Sequence, residues 1–416
     1  MSQYRQDVSQ ESHTGNHSVT SNWSAEADNE AIVSAPGSKK SIFLSDAIVS
    51  NGDTAGYFLL VQNPTDSTAS VIANRLNLAI NALAKLNFSQ PLRLTPNSAL
   101  VVDSTTADDF SLTVNYYLDE VKGFGYASGG WTGTTALSSV QENFFASDSS
   151  STVGADLALA GSFFPNVYGA AGASSATHGY LAGGNTGTIY NRAQISKFSF
   201  SSTANATYNG DLFTTQRYNT GFFSISNGYS SGGYSNVNLK QISSYSFSSD
   251  INSWLVGELA TALYAAAGQQ SITNGYTSGG YSTEALTSIE KFSFASEGLA
   301  TSVGDLTVAR SHVCGQSSIE KGYSAGGVDS PSYFNTVDAF SFASDGNAAD
   351  NGDLTVARSG ASGQSSTASG YASGGTPASD SWSKVIDKFN FSSSGNSASV
   401  GDLVTECTHT VGQQSN

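Results

Sequence analysis

Four aspartates occupy the same place in a repeated Gly-Asp-Leu segment, which makes them candidates for calcium binding. They are Asp211, Asp305, Asp353 and Asp402. Calcium loops supply roughly six to eight oxygen ligands from closely spaced carboxylates and carbonyls, whereas each of these segments holds a single acid. An aspartate between two strands more often stabilises a turn. The sequence therefore predicts a structural role for the four aspartates and no metal site.

The histidines and cysteines lack the spacing of metal-binding or nucleophile motifs. None of the five histidines (His13, His17, His178, His312 and His409) stands four residues from another with a glutamate between them. His312 and His409 take equivalent places in the repeat, which favours a structural role over metal ligation. Cys314 and Cys407 lie far apart and form no Cys-x-x-Cys motif, so we expect two small buried side chains.

Other catalytic signatures are also missing from the sequence. No Gly-x-Ser-x-Gly match is supported by a strand-to-helix turn, as a nucleophile elbow requires. No pair of acids stands out from the repeat as a glycosidase pair. The Gly-Gly pairs are not followed by the helix and Lys-Ser/Thr of a phosphate-binding loop. We therefore expect neither an enzyme nor a cofactor.

One aromatic side chain stands in each segment that follows a repeated Gly-Gly pair. These segments vary most between repeats, and variable loops on a repeated scaffold often carry binding specificity. Aromatic rings among Asn, Ser and Asp can stack on sugars or bind a protein partner. The alternative is that they cover the hydrophobic layers beneath them. The candidate ligand- or partner-binding residues are Trp131, Tyr190, Tyr234, Tyr281, Tyr333 and Trp382.

A hexapeptide repeat positions all of these residues. Gly-Tyr-x-x-Gly-Gly occurs six times, at spacings of 54, 49, 47, 47 and 48 residues. A fixed period of this length indicates a repeat architecture. The glycine pairs, for which we expect a structural role, are Gly129 and Gly130, Gly183 and Gly184, Gly232 and Gly233, Gly279 and Gly280, Gly326 and Gly327, and Gly374 and Gly375.

The pattern within each repeat is typical of β-strands. Aromatic residues alternate with serine, as in Phe292-Ser-Phe294. A pattern with a period of two residues indicates a strand. Each unit therefore predicts a four-stranded sheet, and residues 123–416 predict an all-β, six-bladed β-propeller. The last unit is completed only by the strand at Gly125, so we expect the first and last strands to close the ring in velcro fashion. Such closure leaves no open strand edge.

The repeat resembles the kelch repeat, in which a strand ending in Gly-Gly precedes an apolar-x-x-aromatic strand and a turn leading to arginine. Gly279-Gly280, Ile289 to Phe294 and Arg310 follow this order. The tryptophan typical of kelch blades is absent, and Cys407 stands at the place of Arg310 in the last unit. The resemblance implies a propeller but no particular role, because propellers serve many functions.

The amino-acid sequence of the repeats also resembles that of structural proteins of tailed bacteriophages, especially marine and cyanobacterial ones. The segments that carry this resemblance are GYSSGG (228–233), VGDLTVARS (303–311) and FSFASDGNA (340–348). It implies a non-enzymatic protein on the exterior of the virion, as a capsid decoration or tail component, present in many copies in a symmetric assembly. The alternative is a receptor-binding adhesin or tail-fibre component that recognises host-surface glycan through the variable propeller loops.

The first 122 residues differ from the repeat region. Residues 1–40 are polar and without periodicity, which predicts an extended arm. Residues 41–122 alternate again and predict a small β-sandwich, although residues 71–88 fit either short strands or one helix. We expect residues 1–122 to anchor the chain to other virion proteins.

Composition excludes several partners. The chain of 416 residues has 17 basic and 33 acidic side chains, for a formal net charge of −16. Nucleic-acid binding favours a basic face, so we expect no nucleic-acid partner. No stretch approaches the roughly 18 apolar residues of a spanning helix, and we expect no membrane insertion.

Overall fold

The computed structural model divides the chain into two compact units, Met1–Val121 and Lys122–Asn416. In the first unit it describes the backbone of residues 17–23, 27–33, 40–51, 56–64, 70–71, 76–78, 83–93, 98–104 and 110–120. In the second it describes residues 123–157, 166–187, 191–379 and 381–415 with their side chains.

The described part of the first unit consists of β-strands in two sheets. The strands are β1 (His17–Trp23), β2 (Ala27–Val33), β3 (Lys40–Asn51), β4 (Gly56–Pro64), β5 (Ser70–Val71), β6 (Leu76–Leu78), β7 (Leu83–Arg93), β8 (Ser98–Ser104) and β9 (Phe110–Glu120). One sheet has the order β1-β9-β3-β7 and the other the order β2-β8-β4-β5, with β6 also paired to β4. The ambiguous region 71–88 therefore contains strands where it is described.

The described part of the second unit contains twenty-nine strands. Its first ten are β10 (Phe124–Ser128), β11 (Ser139–Phe144), β12 (Thr152–Asp156), β13 (Ala171–Ser174), β14 (His178–Ala182), β15 (Arg192–Ser199), β16 (Thr207–Gln216), β17 (Thr220–Phe223), β18 (Asn227–Ser231) and β19 (Leu239–Ser246). The next ten are β20 (Trp254–Leu263), β21 (Ala267–Gln270), β22 (Asn274–Ser278), β23 (Ser288–Ser293), β24 (Gly298–Leu299), β25 (Thr301–Asp305), β26 (Cys314–Ser317), β27 (Lys321–Ala325), β28 (Val328–Asp329) and β29 (Ser332–Tyr333). The last nine are β30 (Thr336–Ser341), β31 (Ala349–Asp353), β32 (Arg358–Ser359), β33 (Ser362–Ser365), β34 (Ser369–Ser373), β35 (Thr376–Pro377), β36 (Val385–Asn390), β37 (Ala398–Asp402) and β38 (Val411–Ser415).

These strands form a six-bladed β-propeller, which confirms the prediction of an all-β fold with six blades. From the inner to the outer strand the blades are β38-β10-β11-β12, β13-β14-β15-β16, β17-β18-β19-β20, β21-β22-β23-β25, β26-β27-β30-β31 and β33-β34-β36-β37. The first blade pairs Phe124 with Ser415 and Ser128 with Val411, in antiparallel register. None of the described residues lies in a helix, so this part of the chain holds no helix capable of crossing a membrane.

The tyrosine of each Gly-Tyr-x-x-Gly-Gly repeat packs between two blades. All six tyrosines are at most 2% exposed. The next blade carries a pair of aromatic residues, and each tyrosine stacks on the second of them, which is a phenylalanine in every blade. The ring centroids of the six pairs are 4.5 to 4.8 Å apart: Tyr126–Phe200, Tyr180–Phe247, Tyr229–Phe294, Tyr276–Phe342, Tyr323–Phe391 and Tyr371–Phe145. The two most regular sequence motifs thus meet at every blade interface.

The inner strands approach one another so closely that only glycine fits. A Cβ added to Gly268 would lie 2.0 Å from the carbonyl oxygen of Gly221, and one added to Gly315 would lie 2.2 Å from that of Gly268. The contact passes through all six inner strands and returns to the first, at distances of 1.9 to 2.4 Å. The glycines of this axial ring are Gly172, Gly221, Gly268, Gly315, Gly363 and Gly412.

A second ring, made of backbone hydrogen bonds, lies just ahead of the inner strands. One residue per blade has a φ of 53° to 64°, and its N–H donates to the carbonyl of the equivalent residue in the preceding blade over 2.6 to 2.9 Å. The residues of this hydrogen-bonded ring are Gly169, Tyr218, Ala265, His312, Gly360 and His409. Every member is therefore satisfied by its neighbours around the propeller axis.

The Gly-Asp-Leu segments join blades at the outer rim instead of forming the expected turns. Gly304 and Asp305 end an outer strand beside a shift in pairing register. The carbonyl of Asp305 accepts a hydrogen bond from the N–H of Ala348 in the next blade, at 2.8 Å. A Cβ on Gly304 would lie 2.1 Å from the carbonyl oxygen of Gly346. Glycine is required there because two backbones meet.

Two buried ion pairs explain the repeated arginines. Arg310 and Asp338, joined at 3.1 Å, are both 0% exposed, as are Arg358 and Asp387, joined at 3.2 Å. Each aspartate also accepts hydrogen bonds from a threonine N–H and hydroxyl group, such as those of Thr307. Further partners of this kind are needed to stabilise buried charge.

We expect the substitution Gly268→Ala to destabilise the propeller, because the added methyl group would overlap the Gly221 carbonyl. Overpacking of this kind costs about 1–3 kcal/mol or more in the free energy of unfolding. Gly346→Ala is the comparison variant, since nothing lies within 4 Å of the added methyl group, and its cost reports the strain of a side chain at a φ of 158° and the change in backbone freedom without any overlap. Denaturant unfolding monitored by circular dichroism measures both. Equal costs for the two variants would contradict the axial packing.

Candidate functional site

Each blade sends the segment after its Gly-Gly pair to the same end of the propeller. The residue after the pair bridges to the residue just ahead of the hydrogen-bonded ring: Trp131 to Thr408, Asn185 to Tyr168, Tyr234 to Arg217, Tyr281 to Tyr264, Val328 to Ser311 and Thr376 to Ser359. The variable segments and the hydrogen-bonded ring therefore lie together. We call this end of the propeller the loop end.

Six aromatic side chains form a continuous half-buried cluster at the loop end. We call this cluster the aromatic face, and it consists of Trp131, Tyr168, Tyr218, Tyr234, Tyr264 and Tyr281. Neighbouring ring centroids are 5.3 to 6.2 Å apart: Trp131–Tyr168, Tyr168–Tyr218, Tyr218–Tyr264, Tyr234–Tyr264 and Tyr264–Tyr281. The face extends over several blades.

The structure brings three of the six candidate aromatic residues onto this face. Trp131, Tyr234 and Tyr281 belong to it. Tyr333 ends the short hairpin of β28 and β29 and is half-buried. The half-buried Trp382 packs its ring on Gly133, whose Cβ would lie 2.0 Å from the indole. Tyr190 lies outside the described residues.

The other three members carry no motif that marks them in the sequence. Tyr168, Tyr218 and Tyr264 do not follow Gly-Gly pairs but lie just ahead of the inner strands or within the hydrogen-bonded ring. The signal that could have identified them is positional, since each lies at or next to the place occupied by His312 and His409 in other blades. Aligning the six units at that point places Tyr218 with the two histidines.

Arg217 supplies a cation to the aromatic face. Its guanidinium carbon lies 5.5 Å from the centroid of Tyr218 and 5.3 Å from that of Tyr234, distances at which a cation is attracted to an aromatic ring. Its buried Nε has no hydrogen-bond partner among the described residues. None of the ion pairs between described residues involves this arginine.

Two histidines contact each other at the centre of the loop end. His409 Nε2 and His312 Nδ1 are 2.9 Å apart, and the ring of Tyr218 lies 5.3 Å from His312 and 5.1 Å from His409. Burial lowers the pKa of His312 to about 4. Burial, and secondarily the charge of His312, lowers the pKa of His409 to about 3. Both imidazoles are therefore neutral at pH 7, and one donates its N–H to the other.

Beneath this cluster the axial ring of glycines borders a central cavity of about 130 Å³. Small and polar groups line it, among them Ser317, Ser365 and Gln316. Cys314 also lines the cavity, and burial raises the pKa of its thiol. The other cysteine, Cys407, has a pKa raised by burial to about 12. Both thiols are buried and protonated at neutral pH, which disfavours nucleophilic chemistry.

Among the residues that the structure describes, no group of three or more His, Cys, Asp and Glu side chains could hold a metal ion. What the aromatic face offers is an extended set of ring faces, with the guanidinium of Arg217 against two of them. Such an arrangement suits recognition of a ligand by stacking and charge. Searches against protein-family models and against curated proteins returned no match for this chain.

We expect His409→Asn to weaken the acid sensitivity of the propeller. An unfolded histidine takes up a proton near pH 6.5, whereas folded His312 and His409 stay neutral down to about pH 4 and 3. Between these limits the unfolded chain binds more protons, so stability falls as the pH drops from about 6.5. Removing one imidazole should make that fall smaller, and asparagine tolerates the left-handed φ of this position.

Denaturant unfolding at about pH 7, 5.5 and 4 measures the pH dependence of the free energy of unfolding. Tyr218→Phe is the control, because it alters the same cluster without removing an imidazole and should keep the wild-type dependence. An unchanged dependence in His409→Asn would contradict the role assigned to the pair.

Proposed function

We propose that the chain is a non-enzymatic structural protein of a tailed-bacteriophage virion. Its N-terminal part, residues 1–122, attaches it to other virion proteins as an arm and a small β-sandwich. The kelch-like propeller is displayed on the particle exterior as a capsid decoration or tail component. The observation that carries this proposal is the wording of the repeats, GYSSGG (228–233), VGDLTVARS (303–311) and FSFASDGNA (340–348), which resembles that of phage structural proteins.

The way the blades are joined supports an exposed, durable role. Each interface combines a stacked aromatic pair, a glycine contact at the axis and a hydrogen bond at the outer rim. The pairing of β10 with β38 supports a ring locked by its first and last strands. A ring without an open edge between blades resists aggregation and local opening. Such a scaffold suits a protein that functions outside a cell.

The use made of the titratable groups supports a non-enzymatic role. Asp338 and Asp387 form buried ion pairs with arginines. Burial holds His312 and His409 neutral and the thiol of Cys407 protonated. A nucleophile needs an adjacent base or a lowered pKa, and burial raises the pKa of both described thiols.

A second candidate function is a receptor-binding adhesin that recognises host-surface glycan. The observation that favours it is the aromatic face, in which six half-buried rings lie together at the variable end of the propeller. Aromatic rings present flat apolar surface with little entropy loss on binding, and Tyr and Trp are enriched in recognition surfaces.

Removing residues 1–122 tests the anchoring role. We expect the shortened chain to be absent from purified particles, because the proposed attachment is lost, while the full-length chain is present. Trp131→Ala is the control, since it alters the propeller alone and should remain on particles at the full-length level. Quantitative mass spectrometry of particles gives the amounts, and circular dichroism shows whether the shortened chain is folded. Shortened chains incorporated like the full-length protein would overturn the proposed anchor.

A glycan array with the full-length chain tests the adhesin candidate. We expect Trp131→Ala to weaken binding at least tenfold, because it removes a stacking surface from the aromatic face. Trp254→Ala is the matched control, as Trp254 lies on an outer strand and is 39% exposed. Absence of binding to every glycan, or equal losses in the two variants, would refute the adhesin candidate.

A further inference from the structure

Arg217 differs from the other described arginines in having no acid partner. Five lysines and two arginines form ion pairs: Lys197–Asp250, Lys240–Glu258, Lys291–Asp345, Lys384–Asp402, Lys388–Asp148, Arg310–Asp338 and Arg358–Asp387. Arg192 lies near the charge of Asp211. In a chain with nearly twice as many acids as bases, an arginine that no described acid pairs with is unusual, and Arg217 lies on the aromatic face.

Its neighbours hold Arg217 at that face without neutralising it. The backbone of Arg217 exchanges two hydrogen bonds with Tyr234, at 3.1 and 2.8 Å. The rings of Tyr218 and Tyr234 flank the guanidinium carbon at 5.5 and 5.3 Å. Ring contacts of this kind leave the N–H groups of the guanidinium edge free to donate. The side chain is half-buried, so part of its surface is open to solvent.

The side chains around Arg217 indicate which chemical class of ligand could bind to it. A guanidinium binds a carboxylate or phosphate with two parallel hydrogen bonds. The rings of Tyr218 and Tyr264, with centroids 6.2 Å apart, lie beside it and provide apolar faces that suit the C–H face of a sugar ring. A single cation next to stacking rings thus fits a sugar that carries one carboxylate.

The net charge of the chain limits the ligand further. At −16 the protein repels a densely charged polyanion at long range, but salt screens such repulsion beyond about 8 Å under physiological conditions. The short-range contact with Arg217 persists for an isolated acidic sugar. Each carboxylate of a longer chain that lies away from Arg217 adds only repulsion, so an acidic residue within a mainly neutral glycan fits best.

We propose that the aromatic face binds glycans carrying a carboxylated sugar, with the carboxylate on the guanidinium of Arg217 and the sugar ring on the neighbouring tyrosines. This inference rests on the adhesin candidate and names the substrate class of the same face. Tyr218 and Tyr234 act as positioning residues for the guanidinium.

The test compares acidic and neutral members of matched probe pairs with the full-length chain. The pairs are sialyllactose with lactose, and trigalacturonic acid with its methyl ester. We expect the wild-type chain to bind the acidic member at least tenfold more tightly, and Arg217→Gln to bind the two members of each pair with equal affinity. Arg217→Lys keeps the charge but not the paired hydrogen bonds and should retain only part of the preference. Calorimetry at two salt concentrations gives the affinities.

Lys321→Gln is the matched control, because Lys321 is exposed at the start of β27, on the turn away from the loop end, and no described acid pairs with it. It should bind both members of each pair like the wild-type chain. Circular dichroism confirms that all variants are folded.

The outcomes separate this inference from the candidate function on which it rests. Equal binding of acidic and neutral probes, or a preference that survives Arg217→Gln, would overturn the acidic-sugar inference and leave the adhesin candidate standing. Binding of inorganic phosphate as tight as that of the acidic sugars, lost in Arg217→Gln, would show a general anion site and also overturn it. No binding to any glycan would refute both.

Discussion

The close approach of six glycines around the propeller axis is the constraint on which the rest of the structure depends. Each inner strand is so near the next that a single added Cβ would overlap a neighbouring backbone, and the contact returns from Gly412 to Gly172. Every blade must therefore present the same backbone at the same height. Successive repeats after the first keep a nearly constant spacing of 47 to 49 residues, whereas the longer first spacing of 54 residues leaves the ring of glycines intact.

The same constraint creates the aromatic face. Directly ahead of the axial ring, one residue per blade is held at positive φ by hydrogen bonds to its neighbours. The backbone at this position is fixed by the ring, so the side chain is free to differ from blade to blade. Three blades have glycine or alanine there, and the others have Tyr218, His312 and His409. A symmetric scaffold thus presents an asymmetric set of side chains, and asymmetry is what a specific ligand needs.

The sequence allowed the blades to be predicted because their contacts repeat. Tyr276, Phe342 and their equivalents recur at a fixed period and report the inter-blade packing directly. Only half of the aromatic face is predictable from the sequence, because Tyr168, Tyr218 and Tyr264 lie at or next to the hydrogen-bonded ring and follow no Gly-Gly motif. The Gly-Asp-Leu pattern predicts turns, since glycine and aspartate favour turns. Its glycines are instead required by a neighbouring backbone, a contact that no local pattern shows. Residues 1–16 of the predicted arm lie outside the described residues.

The acidic excess and the isolated cation follow different physical rules. Many acids act within or between blades: Asp338 and Asp387 hold backbone N–H groups and arginines in the interior, and Glu290 accepts from the N–H groups of two residues in the neighbouring blade. These negative charges are compensated by the neighbouring N–H groups and arginines, so they have little effect on a distant ligand. Arg217 is held by ring faces instead of a carboxylate, so its charge is not cancelled locally. The uncompensated charge of Arg217 is the basis of the proposed anion recognition, while the overall negative charge of the chain opposes non-specific binding of polyanions.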